Sequence, residues 1–297
     1  MPCKKCVSDP VIRLSNNDVT LCKSCFTKYF EAKAKKTIRM HKLVEKNDHI
    51  GVAVSGGKDS TSLLYLIGKT FGHRKDIKIT AIAIDEGIKG YREFCLEFLE
   101  GICKKYNTAL HIYSFKEEIG EPLDDILKRE KIKPCSICGV MRRYLLNKKA
   151  YELGITKLAT GHNLDDEAQT ILLNQVRRNI KTSARLGPLT GIRPDKKFIR
   201  RIKPFYFLME KEVATYAYLH GLMTKFNECP HSKESLRGEL RNVLNTLEEQ
   251  HEGTKHNMVA SFMEILPSLK ELVKKEGSQL KYCILCEEPS SQEICRT

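Results

Sequence analysis

The apolar run Ile50-Gly51-Val52-Ala53-Val54 breaks at Ser55-Gly56-Gly57-Lys58-Asp59-Ser60, and Ser62-Leu63-Leu64-Tyr65-Leu66-Ile67 then resumes at helical spacing. The pattern predicts a buried parallel strand over 50–54, a tight turn, and a helix over 60–71. Two glycines let the backbone of such a turn approach an anion closely. The free N–H groups of the following helix, aided by its dipole, bind that anion, and Lys58 and Ser60 add donors. The Walker A pattern GxxxxGK[ST] is absent here. An ordinary glycine-containing turn is the plainer reading, and it leaves the lysine and serine at the helix start without a purpose.

The segment after this turn alternates strand and helix patterns. Strands are expected over 78–84, 109–113 and 157–160, and helices over 91–106, 122–130, 140–153 and 165–177. That order argues for an α/β fold, a doubly wound parallel sheet with ligand at the C-terminal ends of the strands. The expected organisation is a metal-binding module over 1–30, a basic helical linker over 31–46 and the α/β domain over 47–225. A helical extension over 226–275 and a second cysteine module over 276–297 follow. Gly187-Pro188-Leu189-Thr190-Gly191 reads as a loop.

Four CxxC pairs decide how the cysteines are read: Cys3/Cys6, Cys22/Cys25, Cys135/Cys138 and Cys283/Cys286. In a reducing compartment this spacing indicates metal ligation before disulfides. Fifteen residues separate the first two pairs, a spacing that suits a closed tetrahedral zinc site with four sulfur ligands. A module that small cannot build a core, and the metal is expected to do that work. Cys95 and Cys103 fall on an amphipathic stretch and read as core residues.

The chain has 51 Lys and Arg against 37 Asp and Glu, a formal charge of +14, which favours a polyanionic partner. The candidate RNA contacts are Lys33, Lys35, Lys36, Arg39, Arg177, Arg178, Lys196, Lys197, Arg200 and Arg201. With no Trp in the chain, stacking on an extruded base would use Tyr, Phe, His or Arg. No apolar run reaches the roughly 18 residues of a membrane-spanning helix, and Met-Pro-Cys-Lys-Lys-Cys lacks a signal-peptide core, so a cytoplasmic location is expected.

Ser55-Gly56-Gly57-Lys58-Asp59-Ser60 resembles the PP-loop of the ATP pyrophosphatases. Four further segments sharpen the likeness: Asp85–Tyr91, Pro134–Val140, Thr160–Ala168 and Glu228-Cys229-Pro230. Together with the N-terminal cysteine module they resemble, in order and spacing, the TtuA/NcsA-type tRNA 2-thiolation enzymes over nearly the whole chain. The resemblance implies a tRNA sulfurtransferase: ATP adenylates the C2 oxygen of a uridine, releasing pyrophosphate, and sulfur displaces AMP to give 2-thiouridine.

The resemblance also implies the site. Ala53, Ser55, Gly56, Gly57, Lys58, Asp59, Ser60, Asp85, Gly161 and Asp166 would bind ATP, with Lys58, Asp59 and Asp166 catalytic and the two aspartates holding Mg2+. Cys135, Cys138 and Cys229 would hold a 4Fe–4S cluster whose fourth iron stays open for sulfide. A persulfide relay and a zinc site completed by His231 are alternative readings of these cysteines. Arg142 and Arg143, one turn beyond Cys138, would steady sulfide or a phosphate, or are surface charges. A second zinc would sit on Cys283, Cys286 and Cys295, with the family's fourth cysteine falling one position beyond Thr297. The implied partners are tRNA and a sulfur donor (a ubiquitin-like thiocarboxylate carrier or sulfide), in a homodimer. Arg142-Arg143 and Arg237-Gly238-Glu239-Leu240-Arg241 look more like the branch that modifies wobble uridine 34 than the one that modifies uridine 54. Cytidine 2-thiolation and a zinc-ribbon RNA-binding adaptor without catalysis are the competing readings.

Overall fold

A computed structural model describes residues 2–15, 18–130, 133–192, 195, 197–223, 229–231, 236–275, 281–284, 289–290 and 293–294. The chain opens with a hairpin of β1 (Ile12–Leu14) and β2 (Val19–Leu21), paired antiparallel with Ile12 opposite Leu21. Helix α1 (Lys23–Met40) leaves directly from Cys22. Then come β3 (His49–Val54), α2 (Lys58–Phe71), β4 (Lys78–Asp85), α3 (Arg92–Lys105), β5 (Ala109–Ser114), α4 (Phe115–Ile119) and α5 (Leu123–Arg129). The second half holds α6 (Pro134–Glu152), β6 (Lys157–Ala159), α7 (Leu164–Val176), α8 (Ile180–Ser183), β7 (Arg200–Ile202) and α9 (Glu210–His220). Helices α10 (Leu236–Gln250) and α11 (Thr254–Lys275) and the short pair β8 (Lys281–Tyr282) and β9 (Pro289–Ser290) complete it.

Strands β3 to β7 form one parallel sheet in the order β5-β4-β3-β6-β7. The central strands are apolar on both sides because helices cover both faces, with Ile50, Val52 and Val54 of β3 and Ala81 to Ile84 of β4 buried. The chain winds outward from β3 through β4 to β5, then crosses back to β6. The point where strand order reverses therefore lies between the C-terminal ends of β3 and β6, where a ligand crevice opens in such sheets. The loop Ser55–Gly57 and the loop Thr160–Asn163 meet there.

Several expectations are corrected. The helix expected from Val140 begins at Pro134, whose fixed φ suits a first helical position, so Cys135 and Cys138 sit in the opening turns of α6. Strand β7 and helix α9 were not anticipated. Residues 31–46, expected as a basic helical linker, do begin as helix, the second half of α1, and that helix is packed, buried along Phe26, Phe30, Ala34 and Ile38. Phe30 stacks on Tyr216 of α9 with centroids 4.1 Å apart. The cysteine module does not lack a core: Cys3, Ile12, Leu14 and Cys22 join the cluster that holds the sheet and α2. Lys33 is no RNA contact, since it is turned inward to Glu212 at 3.3 Å and Tyr29 at 2.9 Å. Among the described residues no helix is long and apolar enough to cross a membrane.

Candidate active site

Gly56 has φ +79°, and a Cβ there would lie 2.6 Å from the Cys95 carbonyl oxygen, so the turn after β3 needs glycine for both conformation and space. Cys95 is thus packing beneath the turn, and Cys103 is buried nearby. The hydroxyl of Ser60 accepts the Ser55 N–H at 3.0 Å and donates to the Gly57 carbonyl at 3.1 Å, which braces the turn against the first turn of α2. Gly57 caps α2 with no side-chain acceptor, which leaves the first N–H groups of the helix for an anion.

Lys58 Nζ donates to Asp59 Oδ2 at 2.9 Å and to Glu210 Oε1 at 2.8 Å. Burial pulls its pKa down, and the two carboxylates more than offset this, so the ammonium is firmly charged. Asp59 Oδ1 accepts from Asn163 Nδ2 at 3.1 Å. Asn163 and Asp166 form a reciprocal capping box at the start of α7. Gly161 lets the two loops touch, since a Cβ there would lie 2.8 Å from the Asp59 backbone. Asp59 and Asp166, far apart in sequence, are thereby brought to one crevice. Asp166 lies in a recess whose desolvation pushes its carboxyl up to about 6, against the pull of Arg237 at 3.2 Å.

Asp85 ends β4 at the crevice rim and accepts the Gly87 N–H at 2.9 Å. Ala53 is half-buried on β3, packed with the cluster around Ile82 and Leu158. His162 keeps open surface in the recess, yet desolvation and then Lys203, Arg237, Arg201 and Arg142 hold its imidazole neutral, well below its ordinary pKa. The crevice is thus open to solvent but rimmed by cations, the setting for a polyphosphate.

Cys135, Cys138 and Cys229 come to a second site beyond β4. Cys138 and Cys229 pack with Tyr91, Ile137 and Met141 against the cluster of Ile84 and Ile88. Burial pushes the Cys138 thiol up to about 11, opposed by Arg142, and burial raises Cys229 as well. Each of these two thiols also feels the Cys135 sulfur. Cys135 is exposed and donates to the His231 carbonyl at 3.3 Å. These three sulfurs are not all within 4.8 Å of one another. Thiolates on one tetrahedral zinc would lie about 3.8 Å apart, from a Zn–S bond of about 2.3 Å. The His231 ring, needed as a fourth zinc ligand, is turned to Asp124 at 3.3 Å. The three thiols thus come together from the start of α6 and from Cys229, with the His231 ring turned away from them.

Cys3, Cys6, Cys22 and Cys25 are the contrast. Their sulfurs all lie within 4.8 Å of one another, with 3.6 Å from Cys6 to Cys3, 3.3 Å to Cys22 and 3.6 Å to Cys25. Ser8, through its hydroxyl and then its backbone, draws the Cys6 thiol well below its ordinary pKa, as a metal thiolate requires. Cys283 is buried, while Cys286 and Cys295 lie outside the described residues.

The comparisons with known proteins agree with this geometry. Residues 27–248 match the family described as PP-loop domain. The chain belongs to the PP-loop family. It is similar to the tRNA-5-methyluridine(54) 2-sulfurtransferase of Pyrococcus horikoshii, 38% identical over 295 residues that cover 99% of this chain and 92% of that one. It is 35% identical over 302 residues to the cytoplasmic tRNA 2-thiolation protein 1 of Caenorhabditis briggsae, covering 99% and 79%. Among solved structures it resembles the U34-tRNA thiolase NcsA of Methanococcus maripaludis with its [4Fe-4S] cluster. The TM-score is 0.85 at 32% identity, covering 100% of this chain and 94% of that one.

Sequence reasoning about this PP-loop chain missed Glu210 and Arg92, held Asn163 and Glu86 only as members of motif segments without a role, and read Arg237 as a mark of the wobble branch and not as the partner of Asp166. Glu86 carried a signal, a carboxylate at the end of an apolar strand. Glu210 carried none, because its position depends on Asp165. That buried carboxylate accepts the Glu210 N–H at 2.7 Å and the Lys255 ammonium at 2.5 Å.

Proposed function

We propose that this protein is an ATP-dependent tRNA-uridine 2-sulfurtransferase acting on wobble uridine 34. The observation that carries it is the adjacency of two sites: a phosphate-binding loop with Lys58, Asp59 and Asp166, and the three thiols Cys135, Cys138 and Cys229 beside Glu86 and Arg142. A carbonyl oxygen is a poor leaving group, so the uridine C2 oxygen first attacks the α-phosphorus of ATP and pyrophosphate departs. Lys58 and the N–H groups of α2 stabilise the charge on the departing phosphates. Asp59 and Asp166 would hold a Mg2+, which would neutralise phosphate charge there. Hydrosulfide then attacks C2, the C2–O bond breaks, AMP leaves with the electron pair, and the sulfur gives up its proton. A 4Fe–4S cluster on Cys135, Cys138 and Cys229 would supply that sulfide from its open iron.

The N-terminal four cysteines would hold structural Zn2+. A cleft of about 440 Å3 lined by Ile88, Lys89, Asp124, Lys128 and His231 opens beside Cys229 and offers the sulfur donor, a thiocarboxylate carrier or free sulfide, a route. Among the described candidates, exposed Lys36, Arg39, Arg177 and Arg178 would track tRNA phosphates, whereas Lys35 faces Glu31 at 3.9 Å and Arg200 donates to the Thr190 carbonyl; Lys196 lies outside the described residues. A homodimer in the cytoplasm is the assembly and location we infer, the latter supported by the name of the nematode relative. Arg142 and Arg143, exposed next to the thiols, support position 34. Anaerobic reconstitution with ATP, Mg2+ and sulfide on tRNAs mutated at position 34 or 54, read by nucleoside mass spectrometry, tests both the reaction and the position. Thiolation lost only with the position-54 mutant overturns the assignment to position 34. A wild-type protein that makes no 2-thiouridine overturns the reading.

A further inference from the structure

Glu86 follows the last residue of β4 and is only 3% exposed. Two arginines from different helices converge on it: Arg92 of α3 at 2.8 Å and Arg142 of α6 at 3.1 Å. Arg92 is equally buried, bonds the Ile84 carbonyl, and donates Nη1 to the Ser55 carbonyl at 2.7 Å. Arg142 differs, since its side chain stays 46% exposed beside Cys138 and Cys229. One buried carboxylate therefore joins the floor of the nucleotide loop to a cation that faces the thiols. The carboxylate is shared, and half of its pairing is spent on a guanidinium that remains open to solvent.

We propose that Glu86 is a positioning residue for sulfur delivery: it fixes the guanidinium of Arg142 toward the thiol site so that Arg142 cradles the incoming hydrosulfide anion. The inference rests on the sulfurtransferase reading above. Arg142 has one fixed hydrogen bond to Glu86, which stops its long side chain from sampling the basin, and its remaining N–H donors face an anion entering between Cys138 and Cys229. Arg143, one residue on, carries no such bond to Glu86 and is not predicted to substitute.

The test compares wild type, Glu86→Gln, Arg142→Ala and the double variant, each reconstituted anaerobically. Saturation with sodium sulfide is followed by thiolation rate and, separately, by the change in visible absorption of the protein without ATP or tRNA. ATP affinity is measured by calorimetry on cluster-free protein. Both single variants should raise the sulfide KM and the spectroscopic sulfide Kd about tenfold, and in Arg142→Ala the ATP affinity should stay within twofold of wild type. The double variant should be no worse than Arg142→Ala, because Glu86 acts through Arg142. Arg142 is half exposed, so its truncation leaves the fold intact and keeps the test open even where Glu86→Gln folds poorly. Unchanged sulfide affinity in Arg142→Ala, or additive losses in the double variant, overturns the proposal. A wild-type protein inactive with sulfide overturns the sulfurtransferase reading instead.

Discussion

Lys58 donates to Glu210 at 2.8 Å across 152 residues of sequence. The contact places the start of α9 against the start of α2 and ties the loop lysine to an element the motif does not contain. Lys58→Ala and Asp59→Ala should each lower thiolation at least a hundredfold while the melting temperature stays within a few degrees, because both side chains act on phosphate at a solvent-open crevice. Glu210→Gln, which keeps a hydrogen bond to Lys58 and loses the charge, should cost less than tenfold. Wild-type yield of 2-thiouridine from Lys58→Ala would remove the phosphate loop from the mechanism.

Asp166 gives the reaction an acidic limb. Its carboxyl is held at about 6 by desolvation, so in the nucleotide-free protein it is protonated below that pH and charged above it. Only the charged form holds Mg2+, and kcat/KM for ATP should therefore rise with pH through about 6 and level off above 7. Asp166→Asn should abolish that limb along with most of the activity. A flat profile between pH 5 and 7 in wild type would show that Asp166 does not bind the metal as a free carboxylate.

The N-terminal metal should be spectroscopically silent zinc that survives air. Because Cys3 and Cys22 belong to the main hydrophobic cluster, Cys3→Ala or Cys22→Ala should lower the melting temperature by about 5–10 °C, equivalent to about 2–4 kcal/mol. Elemental analysis of the purified chain checks the metal, and one zinc should disappear with either substitution.

Anaerobic protein should be brown, carry about four irons per chain and lose colour and activity together in air. Replacing Cys135, Cys138 or Cys229 one at a time should remove the irons, since three thiolates already leave one iron without a protein ligand. Full activity in iron-free, aerobically purified protein would favour a persulfide on one cysteine.

Arg177→Ala with Arg178→Ala should weaken tRNA binding and reduce the slope of log affinity against log salt by about 1.5–2, the loss of two phosphate contacts. Lys33→Ala should leave that slope unchanged and lower stability instead, as it removes the partner of buried Glu212. Filter binding over a salt series distinguishes the two.

The local order was legible in the sequence. The phosphate loop declares itself because a strand, two glycines and a helix start are contiguous, and the parallel sheet because period and apolar runs are properties of short windows. The four-sulfur site at the N-terminus was equally plain, since CxxC spacing alone brings each pair of thiols together. The resemblance supplied the three-thiol set, and the fold brings Cys229 to Cys138 although the two lie far apart in the chain. What the sequence could not show was which charges face inward. Lys33 and Lys36 look alike in the chain, and only the packing of α1 on α9 sends one to Glu212 and the other to solvent. Glu86 and Arg142 lie 56 residues apart, and Glu210 lies 152 from Lys58. Pairings at such distance depend on how helices cross the sheet ends. That is set by burial of apolar faces over the whole core, so the tertiary structure alone decided how the nucleotide loop and the thiols share one wall.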